Sequence, residues 1–84
     1  MKMKPIRVYD NEGKTSSGWK FGTAEWTSVG CYDERGFAKK PRKERGWVLV
    51  DCDGLERYCE GNYQDFIPFA NMILENYGMK TRIS

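Results

Sequence analysis

Trp47-Val48-Leu49-Val50-Asp51-Cys52-Asp53-Gly54-Leu55-Glu56-Arg57-Tyr58-Cys59-Glu60 is the stretch whose reading decides the fold. Two β-type runs flank Asp53-Gly54, the dipeptide favoured by a two-residue type I′ turn because both central residues need positive φ. In that register Cys52 faces Leu55, Val50 faces Arg57 and Val48 faces Cys59. One face then holds Val48, Val50, Cys52, Leu55 and Cys59, with Arg57 as its exception, and is expected to face the core. The other holds Trp47, Leu49, Asp51, Glu56, Tyr58 and Glu60. Cys52 and Cys59 are not opposite each other, so a disulfide between them is not expected.

After Gly61 the period changes. Phe66, Phe69, Ala70, Ile73 and Tyr77 follow helical spacing, widened by Ile67 and Leu74. Pro68 belongs in a first turn, where no backbone N–H is needed, which favours Asp65 over Asn62 as N-cap. Gly78 supplies a left-handed C′ residue, and Met79 to Ser84 are read as a short edge strand.

Upstream, Ile6-Arg7-Val8-Tyr9 reads as a strand ended by Asp10-Asn11-Glu12-Gly13 and a flexible loop through Gly18. Trp19 to Tyr32 reads as one long bent strand or two short ones. Asp33-Glu34-Arg35-Gly36 has the Asp and Gly of a type I turn, after which the chain doubles back through Phe37-Ala38. The expected architecture is a single α+β domain over 1–84: a twisted antiparallel sheet or small open barrel of four to five strands, with one C-terminal helix packed on it.

At 84 residues such a domain buries only about 60–65% of the surface its unfolded chain exposes, so its twelve aromatics must supply much of the core. There is no histidine, which excludes Ser/His/Asp and Cys/His catalysis and the commonest metal ligand. Cys31, Cys52 and Cys59 contain no C-x-x-C pair, so no zinc site is expected and the thiols are read as free in a reducing cytoplasm. The N-terminal residues lack the apolar run of a signal peptide, and no run reaches the length of a membrane span. We read no repeat in the chain.

Two motifs fail on inspection. Gly13-Lys14-Thr15 has the ending of a phosphate-binding P-loop, but Val8 stands where its first glycine should be and no helix follows. Asp51-Cys52-Asp53-Gly54 lacks the remaining ligands and flanking helices of an EF-hand calcium loop. No cofactor or metal is expected.

The net charge of +2 conceals a contrast. Arg35 to Arg45 holds six cations and one anion, whereas residues 51 to 75 hold six carboxylates against Arg57. With Pro41 excluding a helix, the basic segment is read as an exposed loop before the strand at Trp47. Arg35, Lys39, Lys40, Arg42, Lys43 and Arg45, with Phe37 and Lys20 beside them, are the candidate ligand-binding residues. Cations suit phosphate and neighbouring rings suit bases. The expectation is a non-enzymatic binding module engaging nucleic acid or a nucleotide, with no membrane partner and with homo-oligomerisation open. The alternative is a small protein–protein inhibitor or adaptor, of the kind phages and mobile elements encode as accessories, that blocks a host protein with its basic loop or acidic hairpin.

Overall fold

The computed structural model describes residues 3–16, 18–28, 32–38 and 40–84. Cys31, one of the thiols read as free, and Lys39, one of the candidate ligand-binding residues, lie outside the described residues. Strands β1 (Lys4–Pro5), β4 (Lys20–Ser28), β5 (Arg42–Val50) and β6 (Glu56–Glu60) form one antiparallel sheet in the order β1-β4-β5-β6. Strands β2 (Val8–Tyr9) and β3 (Thr15–Ser16) pair separately, and helix α1 (Tyr63–Asn76) follows β6. The α+β expectation holds, with an open sheet.

The central hairpin exists, but its register differs by one residue from the type I′ expectation. Leu49 pairs with Arg57, Val48 with Tyr58 and Trp47 with Cys59. The loop is three residues long, because Asp51 N–H donates to the Leu55 carbonyl at 3.1 Å and Gly54 N–H to the Asp51 carbonyl at 3.0 Å. Only Gly54, at φ 85°, is left-handed, and Asp53 is not. This is a type I turn followed by a glycine bulge. The carboxylate of Asp51 decides it: Oδ1 accepts the N–H groups of Asp53 and Leu55, both at 2.9 Å. A slip of one residue exchanges the faces of a strand. Val48 is buried as expected, but Leu49, expected outside, is fully buried as well, whereas Cys52 and Leu55, expected inside, are exposed. Cys52 and Cys59 are free, as expected.

The same device occurs three times. Asp10 and Asp33 each accept two N–H groups on Oδ1, from Glu12 and Lys14 and from Arg35 and Phe37. Gly13 (φ 84°) and Gly36 (φ 85°) close these turns by donating to the Asp10 and Asp33 carbonyls. An Asp-x-x-Gly repeat thus sets every hairpin reversal among the described residues, because Asp stabilises the turn backbone and Gly meets the positive φ without a Cβ clash. The first turn joins β2 to β3, so Val8–Ser16 form a small hairpin where a strand running into a flexible loop was expected. Gly13-Lys14-Thr15 belongs to that hairpin, consistent with its failure as a P-loop.

Helix α1 begins three residues earlier than Pro68 led us to expect. Asn62 is the N-cap, in a reciprocal capping box: its side chain accepts from Asp65 N–H, and Asp65 Oδ2 accepts from Asn62 N–H, both at 3.2 Å. Satisfying two otherwise unpaired donors at once outweighs the misplaced proline. Pro68 removes the bond to the Gln64 carbonyl, and both residues are exposed, so the orphaned acceptor lies on the solvent side. The helix buries Phe66, Ala70, Ile73 and Leu74 against Phe21 and Leu49 of the sheet, joined by Val8, Trp19 and Ile83. Gly78 ends it at φ 73°.

Met79 to Ser84 form no strand beyond the single bridge of Met79 to Asp10. Side-chain amides replace the ladder: Asn71 donates to the Ile83 carbonyl at 3.0 Å and accepts from its N–H at 2.7 Å, seating Ile83 in the core. A polar chain anchored on the buried Asp51 also ties the hairpin turn to the helix end. Arg57 Nη2 donates to the Tyr77 hydroxyl (2.8 Å), which donates to Asp51 Oδ2 (3.2 Å). Burial alone would raise the Asp51 pKa. The N–H groups of Leu55 and Asp53, the Tyr77 hydroxyl and the Arg57 charge outweigh it and hold the carboxyl below its ordinary 3.8.

Candidate ligand interface

The sheet is four-stranded only at one end, where Lys20 and Phe21 begin β4 and Leu49 and Val50 end β5. β1 reaches no further along β4 than Phe21, and β6 stops opposite Gly46. Beyond that level Glu25–Ser28 and Arg42–Arg45 pair only with each other, rung by rung from Glu25↔Arg45 to Ser28↔Arg42. Four rungs extend about 13 Å at 3.3 Å per residue. A reversal follows, with a Tyr32–Ala38 bridge and the Asp33–Phe37 turn. This two-stranded arm explains a radius of gyration of 15.5 Å and extents of 52 × 25 × 23 Å. A compact 84-residue chain would have a radius of roughly 12 Å.

The arm corrects the reading of Arg35 to Arg45 as a loop. From Arg42 onward the segment is strand, because β4 supplies a full-length partner and Pro41 stands just outside, where its missing N–H costs no ladder bond. Alternation then separates the candidate cations. Lys43 and Arg45 share the helix-side face with Glu25 and Thr27, and Arg42 lies on the other face with Trp26, Ser28 and Glu44. Arg35, Phe37 and Lys40 belong to the outer end. Phe37 is 69% exposed and Tyr32 76%. Lys20 is not part of this group: it opposes Val50 at the far end of β4, eight steps or about 26 Å from Ser28. Trp19 and Phe21 beside it are buried in the core, leaving Tyr32 and Phe37 as the accessible rings.

Carboxylates also moderate the charge, one across the ladder from β4 and one within β5 itself. Glu25 Oε1 lies 3.1 Å from Arg45 Nε, and Glu44 Oε1 4.0 Å from Arg42 Nε. Among the described residues, Arg35, Lys40 and Lys43 make no ion pair. The acidic turn at Asp51–Glu56 sits at the opposite end of β5 from the arm, so the two oppositely charged segments are separated along the sheet. The exceptions are Glu44 and Glu60 at the base of the arm. A hydrogen bond with Glu44, and its negative charge, raise the Glu60 pKa; burial adds to this and Arg42 opposes it.

The register assembles a feature that the sequence reading missed. On the helix side of the arm's base, a cavity of about 600 Å³ is lined by Thr23, Glu25, Arg45, Gly46, Trp47 and Gly61. A second, of about 420 Å³, shares Thr23 and Trp47 and is closed by Lys4, Phe21 and Tyr63. Trp47 is half-buried, with its ring 4.8 Å from that of Tyr63 and 5.7 Å from that of Phe66. No local motif announces this groove, since its walls come from β1, β4, β5 and the entry to α1. On the opposite face the Trp26 and Tyr58 rings meet at 5.0 Å.

Burial and then Asp65 raise the Cys59 pKa, the reverse of what activates a nucleophile. Among the described residues no cluster of three or more His, Cys, Asp or Glu side chains is placed to hold a metal ion, and no helix is long and apolar enough to cross a membrane. The chain matches no protein-family model, no curated protein and no solved structure.

Proposed function

We propose that the protein is a non-enzymatic binding module that grips double-stranded nucleic acid with the β4–β5 arm. The observation carrying this reading is the placement of Arg35, Lys40, Arg42, Lys43 and Arg45 on one projecting two-stranded ribbon. A ribbon of this width fits the major groove of B-form DNA, whereas the deep, narrow major groove of A-form RNA excludes it. Cations on both faces of the ribbon suit the phosphates along both walls of a groove. The exposed rings of Tyr32 and Phe37 at the outer end supply apolar contact. The ion pairs of Arg45 and Arg42 are solvent-exposed on the arginine side, so exchange of their carboxylates for phosphate costs little.

Fluorescence anisotropy of a labelled 20-base-pair duplex tests the proposal. If only the three unpaired cations displace counterions, log affinity falls against log salt with a slope of about −3; if all five do, the slope is about −4.5. The triple variant Lys40→Ala, Arg42→Ala, Lys43→Ala is expected to flatten that slope by roughly 1.8 in the first case and roughly 2.7 in the second. A slope near zero, or unchanged binding by the variant, refutes the reading. No affinity for oligonucleotides, together with stable capture of one acidic polypeptide, would instead support the inhibitor or adaptor role.

A further inference from the structure

We propose that the groove at the base of the arm is a separate site for a guanine nucleotide, with the base on Trp47 and the phosphate toward Lys4. The two cavities adjoin at Thr23 and Trp47, which line both, and each has a volume within the range of small-ligand pockets. The half-buried Trp47 lines both, with its ring packed on those of Tyr63, itself in the wall of the smaller cavity, and Phe66. Gly46 and Gly61 contribute backbone to the wall of the larger cavity beside it. Stacking on such a surface accepts any base.

The choice among bases comes from Glu25. Its carboxylate lines the larger cavity and is positioned by Arg45 at 3.1 Å. Guanine presents two adjacent donors, N1–H and N2–H, to a carboxylate, whereas adenine presents an acceptor at N1 and uracil presents N3–H between two carbonyls. The cation at the other end is Lys4, whose Nζ lies 6.0 Å from the centroid of the Phe21 ring in the smaller cavity. Aromatic wall, carboxylate at one end and ammonium at the other match the polarity of a guanine nucleotide, from donor edge to phosphate.

This site shares the Arg45–Glu25 pair with the arm, but its ligand and its other contacts are its own, so the two readings fail separately. In a Trp26→Phe background the accessible indole is Trp47, because Trp19 is buried. Quenching of its fluorescence by GMP is expected at sub-millimolar concentration, with AMP and UMP weaker by about tenfold, the lower range for losing a bidentate contact. Glu25→Gln is expected to abolish the preference for guanine. Lys4→Ala is expected to weaken GMP but not guanosine. A thymine oligonucleotide carrying one guanine distinguishes the source: quenching by it without quenching by GMP assigns the groove to a guanine within a strand. The Lys40/Arg42/Lys43 triple variant should lose duplex binding and keep GMP. Absence of quenching by every ligand, or equal quenching by GMP, AMP and UMP in both the parent and Glu25→Gln, overturns the proposal.

Discussion

Gly46 is the position where one added methyl group should cost most. Its φ is not positive, so a side chain meets no conformational objection there. The objection is space. A Cβ at residue 46 would stand 2.0 Å from the Cys59 carbonyl oxygen and 2.9 Å from the Glu60 Cα, both backbone atoms of β6. Ordinary contact needs more than a further ångström, so β5 and β6 must separate at the level of the Gly46↔Glu60 pair and the Gly61-to-Arg45 bond. Two ladder bonds at about 0.5–1.5 kcal/mol each, with overpacking of about 1–3 kcal/mol, put Gly46→Ala at roughly 2–6 kcal/mol. For a domain this small, that lowers Tm by about 10–50 °C. Gly36→Ala is the control: φ there is 85°, but no atom lies within 4 Å of the new methyl. Left-handed strain alone costs about 1–2 kcal/mol. Thermal unfolding followed by far-ultraviolet circular dichroism compares the two. If Gly46→Ala melts within a few degrees of the parent, or above Gly36→Ala, the close approach of β5 and β6 is wrong.

Two carboxylates predict opposite pH responses. Asp51 has a depressed pKa in the folded state, so its stabilisation is complete above the unfolded value of 3.8 and is lost as pH falls through the lower folded value. Asp51→Asn should therefore be less stable than the parent near neutrality, with the gap closing in acid; urea titrations showing a constant gap would contradict this. Glu60 is raised by Glu44, so the native state holds the extra proton and stability falls as pH rises from 4.5 through the folded value. Glu60→Gln should gain on the parent across that window, and parallel stability curves would dismiss the Glu44–Glu60 pair.

What the sequence determined by itself was whatever rests on neighbouring residues. The amphipathic period from Phe66 to Tyr77 fixed the buried stripe of α1, Gly78 fixed its end, and Asp33 to Gly36 fixed a turn, because propensity and local hydrogen bonds are encoded within a few positions. The capping box at Asn62 and Asp65 was equally local, but the reading gave Pro68 more weight than two reciprocal hydrogen bonds. Even the Asp-x-x-Gly signature of the three turns was present, although Asp53-Gly54 drew attention from Asp51 and shifted the hairpin register by one residue.

Tertiary structure decided the rest. Whether Arg42 to Arg45 are loop or strand depends on β4, a segment more than a dozen residues earlier, and only that pairing sorts Lys43 and Arg45 from Arg42 onto opposite faces. The groove needs Lys4, Glu25, Trp47 and Tyr63 in one place, and no spacing in the chain brings them together. Residue composition states how much charge and aromatic surface exists. Strand register, a non-local choice in which one step exchanges the faces, determines where that surface is displayed.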